Sequence, residues 1–170
     1  MRTALLVLLL LFNAACIPLT DYENTQEDSR DALIYLDENH QAQQTLILRR
    51  LPVESIILWM AHPAEGAPPA TSLTLTLEGR DGRGPQRVSQ TYGLPSLAAP
   101  RASPFPLPPT DFLPNRPVTL TLEVNGGGLW LYGRSEEAYP PGALTLDGAP
   151  QPGDLAFRLT YDYGSAALLS

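Results

Sequence analysis

This 170-residue chain has one cysteine, no lysine and two histidines, and after its first residues it has no long apolar run. A single cysteine excludes an internal disulfide, so the fold must hold without covalent staples. With 11 arginines against 18 acids and a net charge of −7, the chain lacks the basic footprint of a nucleic-acid-binding protein. His40 and His62 show no metal-ligand spacing of the HExxH kind. Ser72, Ser89 and Ser103 sit in no nucleophile elbow. Gly126 to Gly128 precede neither Lys-Ser/Thr nor a helical pattern, so they read as a turn and not a phosphate loop. Glu136 and Glu137 are adjacent in a loop, whereas a glycosidase needs two carboxylates flanking the scissile bond. The chain therefore reads as noncatalytic, with no cofactor.

The first residues are Met1-Arg2, an apolar run from Leu5 to Phe12, then Ala14, Ala15 and Cys16. Eight apolar residues fall short of the ~20 needed to span a bilayer. The order of a basic start, a short apolar run and small residues is that of an export signal. It resembles the lipobox of bacterial lipoproteins, with Asn13 standing where that motif has an aliphatic residue. The resemblance implies cleavage after residue 15 and acylation of Cys16, which would anchor the protein on the outer side of a membrane in the cell envelope. The alternative is a secreted protein with a free thiol. An unpaired thiol is a liability in an exported protein, and acylation removes it. Loss of Arg2 with the signal leaves ten arginines against 18 acids, and the net charge moves from −7 to −8.

Residues 16–30 are polar and acidic, which predicts a tether. Residues 31–164 read as strand after strand, and 165–170 as a tail. Apolar runs lie at Ala32–Leu36, Thr45–Leu48 and Ser55–Ala61, the last apolar on both faces like a central strand. Ser72–Glu78 (SLTLTLE) and Val118–Val124 (VTLTLEV) alternate cleanly, leucines one way and threonines the other. Gly79–Pro85 reads as a turn, Gln86–Tyr92 as a weaker strand, and Asn125–Gly128 as a hairpin turn into the return strand Leu129–Tyr132. Residues 93–116 carry seven prolines and read as a connection that cannot be a central strand. Ala143–Leu146 and Leu155–Tyr161 complete the set. No stretch keeps a helical period over three turns. Eight to ten short strands between turn signals predict an all-β fold, an antiparallel β-sandwich of jelly-roll type.

The order QQTLILRRL (Gln43–Leu51), IILWM, SLTLTLEG, a proline-rich crossover, PVTLTLEV and GALTLDG…GDLAFRLTYDY resembles the noncatalytic jelly-roll domains of extracytoplasmic bacterial proteins. Those domains are similar to carbohydrate-binding modules and discoidin-like domains. The resemblance implies a binding role and, from many sandwiches of that kind, a structural calcium on loop carboxylates. Asp31, Asp154 and Asp162, with Glu136 nearby, are the candidate ligands for it; solvated carboxylates are the plainer reading.

Trp130 and Tyr132 share one face of their strand and Leu129 and Leu131 the other. If the leucines face the core, the two rings stand about 7 Å apart on an open face, where sugar C–H faces can stack on them. Trp59 and Tyr139 are expected to contribute rings, and Arg158 and Arg134 polar contacts. The expected partner is a glycan or other extracellular ligand. The alternative is an assembly lipoprotein docked on an envelope protein, with Trp130 packed inside.

Overall fold

The structure, a computed structural model, describes residues 19–20 and 25–161. The export segment with Cys16, the candidate ligand Asp162 and the tail 165–170 lie outside the described residues. Among the described residues no helix is long and apolar enough to cross a membrane.

The strands are β1 (Leu19–Thr20), β2 (Asp31–Leu36), β3 (Gln41–Leu48), β4 (Val53–Ala61), β5 (Ser72–Arg80), β6 (Pro85–Gly93), β7 (Arg101–Pro106), β8 (Arg116–Asn125), β9 (Leu129–Arg134), β10 (Leu144–Leu146), β11 (Ala149–Gln151), β12 (Asp154–Leu155) and β13 (Phe157–Tyr161). In the first sheet β2 pairs β9, β9 pairs β4 and β4 pairs β7; in the second β3 pairs β8, β8 pairs β5 and β5 pairs β6. Strand order 2-9-4-7 facing 3-8-5-6, all antiparallel, is that of a jelly roll. The remaining short strands extend it. β10 and β11 lengthen the second sheet beyond β3, and β12 and β13 add to the first, β12 on β9 and β13 on β4.

Alternation places the core. Leu73, Leu75 and Leu77 of β5 and Val118, Leu120, Leu122 and Val124 of β8 are buried, facing Ile56, Leu58 and Met60 of β4 and Leu129 and Leu131 of β9. The threonines of β5 take the other face of the sheet, where Thr74 meets Thr91 at 2.9 Å and Thr76, itself buried, meets Ser89 at 2.8 Å across the β5–β6 pair. Leu155, Phe157, Leu159 and Tyr161 all face inward, as their spacing predicts.

Four expectations change. The segment 16–30 is no free tether where it is described: β1 pairs β13, and Gln26 exchanges both backbone bonds with Phe157 (3.0 and 2.5 Å). The proline-rich connection contains a strand, β7, whose Pro104 and Pro106 lie opposite Ile57 and Ser55. Proline is tolerated there because β7 is an edge strand. Asn125–Gly128 is a crossing between sheets and not a hairpin, since β8 and β9 pair with different partners. Finally, β4 is central but open on one face, with Ile57 and Trp59 only half-buried.

Candidate ligand-binding face

The outer face of the first sheet is built by three strands. On β9, Leu129 and Leu131 fill the core, so the intervening Trp130 and Tyr132 emerge on the opposite side, half-buried. Tyr35 of β2 is the cross-strand neighbour of Trp130, and Ala61 of β4 flanks it on the other side. The Tyr35 and Trp130 ring centres are 5.1 Å apart with planes tilted by 57°. That tilt makes Tyr35 a prop against Trp130, so the two rings do not form a coplanar pair. Tyr35 is itself fixed from below: a Cβ on Gly128 would stand 2.0 Å from its hydroxyl oxygen. Trp59 lies two residues along β4 from Ala61 on the same face, half-buried.

Arg158 of β13 is the neighbour of Ile57, and its guanidinium stands 5.7 Å from the centre of the Trp59 ring. A cation over an indole face is attracted by the ring quadrupole. The same guanidinium grips Glu27 with two hydrogen bonds, Nε to Oε1 at 2.8 Å and Nη2 to Oε2. Glu27 therefore sets the position of Arg158, and Arg158 covers Trp59. Further along, Arg134 donates to Asp28 (2.7 Å) and to Glu136 (2.7 Å). Hydrogen bonds from Arg30 and Arg134 hold the Asp28 carboxyl well below the usual carboxylate range. A recess of about 370 Å³ opens beside Tyr35, floored by Gly126, Gly127 and Gly128 and walled by Asp37 and Glu38.

Of the rings expected from sequence, Trp130, Tyr132 and Trp59 lie on this face. Tyr139 does not. It is 5% exposed, packs edge-on against Phe157 at 5.1 Å, and its hydroxyl accepts the Ile47 amide at 3.1 Å. Its backbone amide, donating to the buried carboxylate of Asp154, holds it in the core. Asp154 is 1% exposed; one oxygen accepts the Ala138 and Tyr139 amides (2.8 and 2.7 Å), and the other accepts Gln44 Nε2 at 3.1 Å. Asp154 thereby draws the 138–139 segment into the fold. Asp31 accepts the Ser135 amide at 2.8 Å, and that bond lowers its pKa. The two candidate calcium ligands flank β9 from opposite sides, Asp31 beside Gly133 and Asp154 beside Arg134, each engaged with amide donors. Among the described residues no group of three or more His, Cys, Asp or Glu is placed to hold a metal ion.

Two contributors were missed from sequence. Tyr35 carried a signal, since Ile34 and Leu36 beside it are core residues and alternation puts it outside. Glu27 carried none, because its role depends on Arg158, 131 residues away. Comparison with known proteins gives no match, either to a family model or to a curated sequence.

Proposed function

We propose that the protein is an exported, lipid-anchored, noncatalytic jelly-roll domain that binds a glycan on the outer face of its first sheet. The observation that carries this reading is the gathering of Trp59, Trp130, Tyr132 and Tyr35 on one open sheet face, with Arg158 and Glu27 at its border. Indole and phenol rings offer flat apolar surface to the C–H faces of sugars, while the paired Arg158 and Glu27 offer hydrogen bonds to hydroxyls. A sheet face is extended, not enclosed, so it suits a run of several sugar units over a single sugar. Acylated Cys16 would hold the domain at the cell envelope, with the ligand on the outer side.

The test is retention of the protein by immobilised envelope and plant polysaccharides, with the Trp130→Ala and Trp59→Ala variants in parallel. Truncating a buried aromatic anchor at a binding site costs about 2 kcal/mol or more, so affinity is expected to fall roughly 30-fold. Unchanged retention in both variants would remove the site assignment. Failure of the intact protein to bind any polysaccharide would remove the glycan itself. The flatness of the face favours a second reading, an assembly lipoprotein docked on an envelope protein through the same rings. Crosslinking from Tyr132 to a protein, with no glycan retained, is the outcome that separates it.

A further inference from the structure

Sheet edges are where two chains can join, and folded proteins block them with prolines, bulges, charges or very short strands. Most edges of this sandwich carry such a block. Among the described residues, β7 has Pro104 and Pro106, and β2 breaks register between Ala32 and Ile34. β11 is three residues long with Pro150 at its centre, and β1 and β12 are two residues each. β6 has none of these devices. It pairs with β5 alone, over nine residues in unbroken register from Ser72–Gly93 to Arg80–Pro85, and its one proline is its first residue.

The hydrogen bonds at both ends of the β5–β6 pair show which backbone groups of β6 are free. The Leu94 amide donates to the Thr71 carbonyl and the Asp81 amide to the Gly84 carbonyl, both at 2.9 Å. Bonded and non-bonded pairs alternate along an antiparallel ladder. Gln86, Val88, Gln90 and Tyr92 therefore direct their backbone groups to β5, while Arg87, Ser89, Thr91 and Gly93 direct theirs outward. All four outward residues are exposed. Their amides meet no acceptor among the described residues, and the Thr91 carbonyl meets only the Gln90 side chain, at 3.4 Å.

The edge is also preformed. Tyr92 donates its hydroxyl to the Pro106 carbonyl and packs edge-on against Phe105 at 5.1 Å, which fixes one end of the strand. Thr91, Ser89 and Arg87 are tied across to Thr74, Thr76 and Glu78 of β5, the last pair at 3.2 Å. The chain carries 18 acids, yet β6 has no acid and one arginine.

We infer that β6 is the interface of a two-fold dimer, pairing antiparallel with β6 of a second copy so that the two second sheets become one. The register that uses the whole strand is centred on Ser89. Ser89 then lies opposite Ser89 of the second copy, Arg87 opposite Thr91, and Gly93 opposite Pro85. Every outward amide from Arg87 to Gly93 gains a carbonyl, and the missing amide of Pro85 falls at the rim. Val88 meets Gln90 and Gln86 meets Tyr92 on the core-facing side, where Val88 and Tyr92 are only partly covered in one copy. No like charges stand opposite each other. At each end the turn holding Asp81 and Arg83 comes beside Gly93 of the other copy, where Arg101 lines a recess of about 340 Å³, so charges of both signs meet there. Copies of an acidic chain repel, and joining through an edge without an acid lowers that repulsion.

The pairing closes on itself and leaves no β6 edge for a third copy. Its two-fold axis is normal to the joined sheet, so the outer faces of both first sheets open to the same side. The two aromatic faces then stand side by side, though the pairing does not depend on what they bind.

The experiment uses the mature chain from Ile17, which lacks the Cys16 thiol. Sedimentation velocity should show a concentration-dependent species with twice the mass of one chain. Thr91→Lys and Thr91→Glu change an exposed side chain and separate the signs. Lysine faces Arg87 of the other copy and should raise the dimer dissociation constant several-fold, whereas glutamate should lower it. Ser89→Cys should oxidise to a covalent dimer, because residues in a bonded pair have Cα atoms about 5.5 Å apart, within disulfide range. Glu65→Cys, which the two-fold places at opposite ends of the dimer, should stay unlinked. A chain that remains monomeric up to millimolar concentration overturns the inference. So does a dissociation constant equal in the Thr91→Lys and Thr91→Glu variants, or a Ser89→Cys protein that links no faster than Glu65→Cys.

Discussion

Asp154 joins three parts of the chain at one carboxylate. It accepts the Ala138 and Tyr139 amides from the loop after β9 and Gln44 Nε2 from the opposite sheet, while Gln44 Oε1 accepts the Leu155 amide at 3.1 Å. Gln44 is fully buried in the inward row of β3, between Ala42 and Leu46. A polar pair survives in that row because each member satisfies the other's needs. Asp154→Ala would leave the buried Tyr139 amide and the part-buried Ala138 amide without their acceptor, at about 1–3 kcal/mol for the buried one and less for the other, so a loss of roughly 2–4 kcal/mol is expected in urea unfolding. Asp154→Asn keeps an acceptor oxygen and should cost less. Equal, small losses in both would show that the carboxylate does not organise the loop. None of this was legible in the sequence, where Asp154 reads as a loop acid and Tyr139 as a loop ring. Alternation reports only which face a strand residue takes, and Asp154 is buried by contacts to residues 110 positions away. Trp130 was legible for the opposite reason, since its orientation follows from its immediate neighbours Leu129 and Leu131.

Individual elements were readable in proportion to how local their causes are. The clean leucine–threonine alternation of β5 and β8 specified both strands and their faces, and the structure places them side by side. β7 was hidden, because its prolines remove backbone donors and only pairing with β4 makes it a strand. The 125–128 turn was misread as a hairpin because residues such as Asn-Gly permit positive φ but do not choose the next partner; Gly126 and Gly127 do have φ of 80° and 144°. The turn between β2 and β3 makes a prediction at this scale. His40 Nδ1 lies 2.7 Å from Asp37 Oδ1, and its Nε2 lies 3.9 Å from Asp147 Oδ2. The hydrogen bond to Asp37, and then the charge of Asp37, raise the His40 pKa above its ordinary 6.5. A raised pKa in the fold means the protonated ring stabilises the native turn. That contribution is complete below pH 6.5 and disappears as pH rises through the higher folded value. The melting temperature of the intact protein should therefore exceed that of His40→Asn most in mildly acidic buffer, with the gap closing in alkaline buffer. A gap that widens with rising pH would contradict the assignment.

At the scale of the whole molecule, the jelly roll was legible because eight alternating strands and their turns admit few other closures, but the domain boundary was not. An acidic, aperiodic stretch before Asp31 reads as solvated chain. In the fold, residues 25–30 run beside β13 and join the two ends of the sequence: Gln26 to Phe157, Glu27 to Arg158, Asp28 to Arg134. Such pairing is invisible to a local reading because it depends on residues more than 100 positions away. It also gives the segment two consequences that a tether would not have. β13 would otherwise present an open edge, a template for association between chains. And Glu27 grips the same Arg158 guanidinium that stands over the Trp59 ring, so the segment 25–30 also shapes the aromatic face. A protein beginning at Asp31 loses the β1–β13 pairing as well as the two Gln26–Phe157 backbone hydrogen bonds, and should therefore unfold at a lower urea concentration than one beginning at Ile17. It should also show altered Trp59 emission and weaker polysaccharide retention. Glu27→Gln in the longer protein separates the effects: retention and emission should change while most of the stability remains. If the shorter protein matches the longer one in unfolding midpoint, emission and retention alike, residues 25–30 are passive and the aromatic face is organised by the sheet alone.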